Sequence, residues 1–172
     1  MTVRSIFEQL RADHDRVLAE LDALEQAAGI TEPRLNETEL LRVLALLALQ
    51  FGTHMAAEDE VIFPALARAL PESLGRLEPF GVEHEELRNM LVALEALVAR
   101  PSKPSRNEQI AVQVRDFVDL LRIHVRKEEA LVFRVAERLL APVELKNVAN
   151  RLARGAAERA HSIRVTTKGK RP

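Results

Sequence analysis

The chain has 172 residues, 47% of them hydrophobic, and no cysteine. That is the length of a single domain able to bury its own core, and the missing thiols exclude disulfide scaffolds, zinc ribbons, iron–sulfur clusters and thiol catalysis, so any metal must be held by histidine and carboxylate. The net charge of −1 hides an asymmetry: from Lys146 onward eight Lys and Arg stand against Glu158 alone, a net of +7 that leaves −8 on residues 1–145.

In chain order, Ser5 to about Ala28 reads as a first helix, with Ile6, Leu10, Val17, Leu21, Leu24 and Ala28 at three- and four-residue steps and His14 on the same stripe. Gly29 is its stop signal. The connector Thr31–Asn36 leads to an N-cap at Asn36 with Glu39 three residues on, the spacing of a capping box. A second helix runs through Leu40, Leu44, Leu47, Phe51, His54, Glu58, Val61 and Ile62, and Pro64 is expected to kink it, since Leu66 and Leu70 continue the period. Pro71–Pro79 reads as the next break, with room for a helical turn that leads into the third helix. The third helix carries Phe80, His84, Leu87, Leu91, Leu94 and Leu97, and Arg100–Asn107 is the clearest loop. Ile110, Val114, Phe117, Leu121, His124, Glu128, Leu131 and Val135 define a fourth helix to about Leu140. Pro142 to about Arg159 makes a shorter fifth, with Leu145, Val148, Leu152 and Ala156 on one side. No segment reads as a strand.

Four helices of similar length with short connectors predict an all-α, up-down-up-down four-helix bundle with an additional C-terminal helix. The division expected is residues 1–140 as the bundle, 141–164 as an accessory helix packed on it, and 165–172 as a basic disordered tail. Counting from the shared loops at 1.5 Å per residue, His14 and His54 lie about 20–26 Å from one end, and His84 and His124 repeat that depth around the Arg100–Asn107 loop. All four rings therefore arrive in one layer.

An internal repeat sharpens this. An offset of 70 residues takes His14 to His84, His54 to His124, Glu58 to Glu128 and Phe63 to Phe133. Each His-x-x-x-Glu pair lies on one helix face, one turn apart. Two hairpins related by a pseudo-twofold would bring four imidazoles and two carboxylates together. An apolar bundle holding that set without a compensating cation would be badly frustrated. The set suits two metal ions, each with two histidines, with Glu58 and Glu128 bridging and positions left for a bridging oxide or hydroxide and one exogenous small ligand. Imidazole with carboxylate fits iron, zinc or manganese, whereas calcium or magnesium would want more oxygen.

The order His, His-x-x-x-Glu, His, His-x-x-x-Glu on successive helices, and above all His54-Met-Ala-Ala-Glu58-Asp-Glu-Val-Ile-Phe63-Pro64 and Glu83-His84-Glu-Glu-Leu87, resembles the hemerythrin-like (HHE) cation-binding domain family over about Ile6 to Leu140. The resemblance implies a non-haem di-iron centre, two iron ions in a four-helix bundle, binding or sensing dioxygen, nitric oxide or peroxide. Members of the family also store iron or decompose peroxide, so catalase-like, peroxidase or ferroxidase activity stands as the enzymatic alternative, and a helical interaction module with a structural metal as a third reading.

Two departures from the oxygen-carrying members matter. Where those have a second His shortly before the third-helix His, this chain has Phe80-Gly-Val-Glu83; and Glu128 follows His124 by four residues rather than five, the fifth place being Glu129. Reversible oxygen carriage is therefore not the expectation, and Glu83, Glu85 or Glu129 are the candidates for any further ligand. The chain has no Tyr, which removes a tyrosinate ligand.

The remaining polar groups read more plainly. Asp13, Asp15, Asp59 and Glu60 are expected in solvent, with Asp59 and Glu129 as candidate hydrogen-bond acceptors behind ligand imidazoles. His161 follows Glu158 at a ferritin-like spacing but has no second such pair, and reads as a non-ligand. The basic C-terminal segment is expected to dock on the acidic body rather than on nucleic acid. The apolar run Val43–Phe51 is too short to span a bilayer, and the amino terminus lacks a signal-peptide apolar region, so a cytoplasmic protein without membrane contact is expected. Its partners would be a diatomic molecule or peroxide, with a homodimer as the oligomer left open.

Overall fold

A computed structural model describes residues 3–31, 34–151, 153, 154 and 157. Among them there is helix and no strand. Helix α1 spans Val3–Ala27, α2 Glu37–Ala57, α3 Phe63–Ala69, α4 Leu74–Val98, α5 Pro104–Lys127 and α6 Arg134–Leu139, with a further helix, α7, over 142–151. Each long helix packs on two others: α1 on α2, α2 on α4, α4 on α5 and α5 on α1. Leu152, Ala156, Glu158, His161 and the segment 165–172 lie outside the described residues.

Local chemistry sets the ends. Gly29 takes φ 75°, which lets its N–H reach Gln26 O at 3.0 Å and the Ile30 N–H reach Glu25 O at 3.0 Å, closing α1 in a left-handed cap. The Asn36 side chain accepts from the Glu39 N–H at 3.2 Å, as expected of an N-cap, but the capping box is incomplete because the Glu39 carboxylate pairs with Arg42 at 2.7 Å. Arg106, unremarked in the sequence, is buried; it donates to Val98 O at 3.1 Å and Arg100 O at 2.7 Å and pairs with Glu37, tying the α4–α5 connector to the start of α2.

Two expectations about helix ends need correction: α5 begins at Pro104, within the loop expected over Arg100–Asn107, and α4 begins before Pro79. Helix α4 begins at Leu74, so Pro79 sits inside it rather than in a break. Pro79 is the sixth residue of α4, so the one backbone hydrogen bond lost is that to the carbonyl of Gly75. Between α2 and α3, and again between α5 and α6, the chain forms π turns, Glu58–Ile62 and Glu128–Phe133. In the first, the Phe63 N–H bonds Glu58 O, one residue wider than an α turn. Pro64 follows at the start of α3, where the widened turn accepts it.

The second π turn overturns part of the predicted core. Leu131 and Val135 were expected on the buried stripe but are 58% and 37% exposed, and Val132, Phe133 and Ala136 are buried instead. One extra residue per turn rotates everything after Glu128 by about 100°, which exchanges the face.

The core divides in two. Val17, Leu21, Leu44, Phe51, Leu91, Phe117 and their neighbours fill one end. Ile6, Phe7, Leu10, Phe80, Phe133 and Ala136 fill the other, joined by Leu145 and Val148 of α7. His14, His54, Glu58, His84, His124 and Glu128, all buried, lie between these two clusters in sequence along every long helix. The 33-residue stretch Glu37–Ala69, whose most apolar window has mean hydropathy 1.5, is long and apolar enough to cross a membrane by length and composition alone. In the fold Leu40, Val43, Leu44, Leu47, Phe51 and Met55 are all buried in the core, which accounts for that hydropathy.

Candidate metal centre

Helix α1 supplies His14, α2 and its π turn His54 and Glu58, α4 His84, and α5 with its π turn His124 and Glu128. All six residues singled out in the sequence come together. His14 and His54 have ring centroids 4.5 Å apart, His84 and His124 4.7 Å. Their Nε2 atoms turn inward onto the carboxylates: His14 lies 3.3 Å and His124 3.1 Å from Glu128, His54 3.2 Å from Glu58, and His84 3.2 Å from Glu128 and 3.5 Å from Glu58. Nitrogen and oxygen atoms of His14, His54, Glu58 and Glu128 fall within 4.8 Å of one another, as do those of His84, His124 and Glu128. Glu128 belongs to both sets.

Four further carboxylates stand behind the rings. His84 Nδ1–H donates to Asp59 at 2.6 Å, His124 Nδ1–H to Glu83 at 2.9 Å and His14 Nδ1–H to Glu129 at 3.0 Å, while His54 Nδ1 lies 3.6 Å from Asp13. A carboxylate acceptor requires a proton on Nδ1, and in the neutral ring that leaves the Nε2 lone pair pointing inward. Asp59 and Glu129 are where the sequence suggested. Asp13 is not simply solvated, and Glu83 and Glu129 stand behind the rings rather than among the inner donors. The offset of 70 takes Asp13 to Glu83 and Asp59 to Glu129, so the repeat already contained the signal. Glu85 is exposed, and Glu60 pairs with Arg151 at 2.8 Å.

Aromatic rings close the layer. Phe133 stacks on His14 and Phe63 on His84, with centroids 5.3 and 5.6 Å apart. Phe80 lies 6.0 Å from the His124 ring, with the Lys127 ammonium 5.5 Å from its own ring centre. It caps the site at the place where a further donor was sought.

The protonation pattern follows from this packing. Burial alone would push His84 down, but hydrogen bonds to Asp59 and Glu128 and the charges of Glu58 and Glu128 outweigh it and carry the ring up to about 9. His124 rises for the same reason: against burial stand Glu128 and Glu83. Burial would raise Glu128, yet the hydrogen bonds from His124, His14 and His84 hold it well below the usual carboxylate range. Asp59 and Glu83 are likewise lowered against burial, the first by His84 and Arg88, the second by Lys127 and His124.

The donor set fits a cation. Both oxygens of Glu58 and one of Glu128 are buried without a well-directed hydrogen bond, and the Nε2 atoms of His84 and His124 are 3.0 Å apart against one Glu128 oxygen. Such groups are costly to bury without compensation. A positive ion accepting lone pairs from all of them removes that cost.

A helical fold whose buried polar layer consists of imidazole and carboxylate defines a cation-binding protein. Residues 5–136 match the hemerythrin HHE cation binding domain, and the chain belongs to that family. Comparison with the curated proteins gives no match.

Proposed function

We propose that this protein is an up-down-up-down four-helix bundle holding two iron ions, and that it binds or senses a small ligand such as dioxygen, nitric oxide or peroxide there. His14, His54, Glu58 and Glu128 would hold one ion, and His84, His124 and Glu128 the other. The observation that carries this reading is the convergence of two donor sets on a shared glutamate, with no hydrogen bond to either Glu58 oxygen. Six nitrogen and oxygen donors suit iron, with manganese and zinc as the competitors. Iron, when bound, supplies a redox-active Lewis acid.

The residues around the layer support a small ligand. A void of about 10 Å³ lies against His14, His54, His124 and Glu128 among apolar side chains that include Phe51 and Leu121. It is close to the least space that admits one water-sized molecule. The Nδ1 carboxylates would hold each ring in place, and the flanking aromatics would limit water.

Metal analysis of the purified protein is the test. About two iron atoms per chain are expected, one for each donor set, with an absorption band that shifts on adding azide or peroxide. A colourless protein carrying only zinc would reject the proposal.

A further inference from the structure

By turning Leu131 and Val135 out of the core, the second π turn builds a cavity of about 200 Å³ on the outer surface. Leu70 and Leu77 line it together with these two residues, and the buried Leu66, Phe80 and Val132 complete its apolar lining. The lining holds a single polar side chain, Arg76. It lies in the first turn of α4, which has no acidic residue, and it makes no ion pair or hydrogen bond among the described residues. The guanidinium thus adds to the positive end of a 25-residue helix.

We propose that this cavity binds an aliphatic monocarboxylate, with its chain against Leu77, Leu131 and Val135 and its head group on Arg76. The lining matches that chemistry at both ends. An apolar chain would cover leucine and valine surface that now faces water, and a planar carboxylate accepts two parallel bonds from one guanidinium. At about 30 Å³ for each water-sized group, the volume admits roughly six to eight carbons. A cation is disfavoured by Arg76, and a phosphate dianion would need more donors than one side chain offers. The site is separate from the metal layer, since Phe80 stands between them, and the proposal does not depend on which ion is bound.

Octanoate is the probe, with octylammonium of equal chain length as the control, titrated into the full chain and followed by methyl resonances and calorimetry. Saturable octanoate binding is expected, with shifts centred on Leu77, Leu131 and Val135. Arg76→Gln should weaken it about tenfold or more, in keeping with a lost charged hydrogen bond. Val135→Trp, a change at the exposed mouth, should fill the cavity and abolish binding while helical circular dichroism is unchanged. Equal binding of octylammonium, unaltered binding by Arg76→Gln, or shifts elsewhere on the surface would each overturn the assignment.

Discussion

The two histidine pairs share Glu128, and besides Glu58, which belongs to the first set alone, they differ in what stands behind them. Around His84 and His124, the outer carboxylates are close, 2.6 and 2.9 Å, and each is itself held by a cation, Asp59 by Arg88 at 2.6 Å and Glu83 by Lys127. Around His14 and His54 the contacts are 3.0 and 3.6 Å; Asp13 pairs with Arg16, and Glu129 is 37% exposed and has no cation partner among the described residues. The repeat therefore extends through the inner donors, the outer carboxylates, the stacked phenylalanines and the π turns, and stops at the positions of the cations Arg88 and Lys127. Arg88 and Lys127 correspond at an offset of 70 to Leu18 and Ala57. A pseudo-symmetric site thus has one tightly held side and one looser side.

The largest expected effect falls on the shared element. Glu128→Ala removes the carboxylate common to both donor sets, and metal content should drop to well under one ion per chain; retention of both ions would remove Glu128 from the proposed ligands. In the metal-free protein the same change leaves facing imidazoles without their anion and should cost about 3–5 kcal/mol in chemical unfolding, as expected for breaking a buried pair.

The next test sharpens the contrast between the sides. Asp59→Asn and Glu129→Gln are equivalent positions of the repeat, so identical effects would break the comparison. Loss of an outer partner typically lowers metal affinity about 10–100-fold. The upper part of that range is expected for Asp59→Asn and the lower part for Glu129→Gln, measured by competition with a chelator.

A pH profile probes the tight side by itself. The folded pKa of His84, about 9, exceeds its unfolded value of 6.5, so its protonation adds stability to the metal-free protein. That contribution is fully present below about pH 6.5 and is lost as the pH rises through about 9. The metal-free protein should melt lower at about pH 10 than at about pH 6.5, and His84→Gln should flatten this difference. Since a cation must displace the proton, metal affinity should rise over the same interval. Invariance across it would show that His84 is not protonated in the folded, metal-free chain. The smallest effect is expected from Arg88→Ala: the arginine is exposed, and unfolding should shift by under about 1 kcal/mol.

Much of the site was legible because histidine and glutamate on an apolar stripe stand out, and a constant offset linked the two groups. Every inner residue could be placed from helical period and loop position alone. The outer ring was legible only in half. Asp59 and Glu129 directly follow inner glutamates and draw the eye, whereas Asp13 and Glu83 directly precede His14 and His84 yet face His54 and His124; all four serve rings on other helices, and the pairings depend on how those helices turn against one another. The offset of 70 links Asp13 to Glu83 just as it links Asp59 to Glu129, so both pairs carry the same signal.

What the sequence determined by itself was the helical class, the stripes, the polar layer within them and the absence of thiol chemistry, since each follows from residue type and spacing. The tertiary structure alone decided the π turns, the exchange of Leu131 for Val132 on the core face, the helical Pro79 and the pairing of each imidazole with its outer carboxylate. A widened turn costs the backbone little and leaves no mark on side-chain periodicity before it. Only the packing of the second half against Phe7, Phe80 and α7 selects which side of the chain after Glu128 is buried.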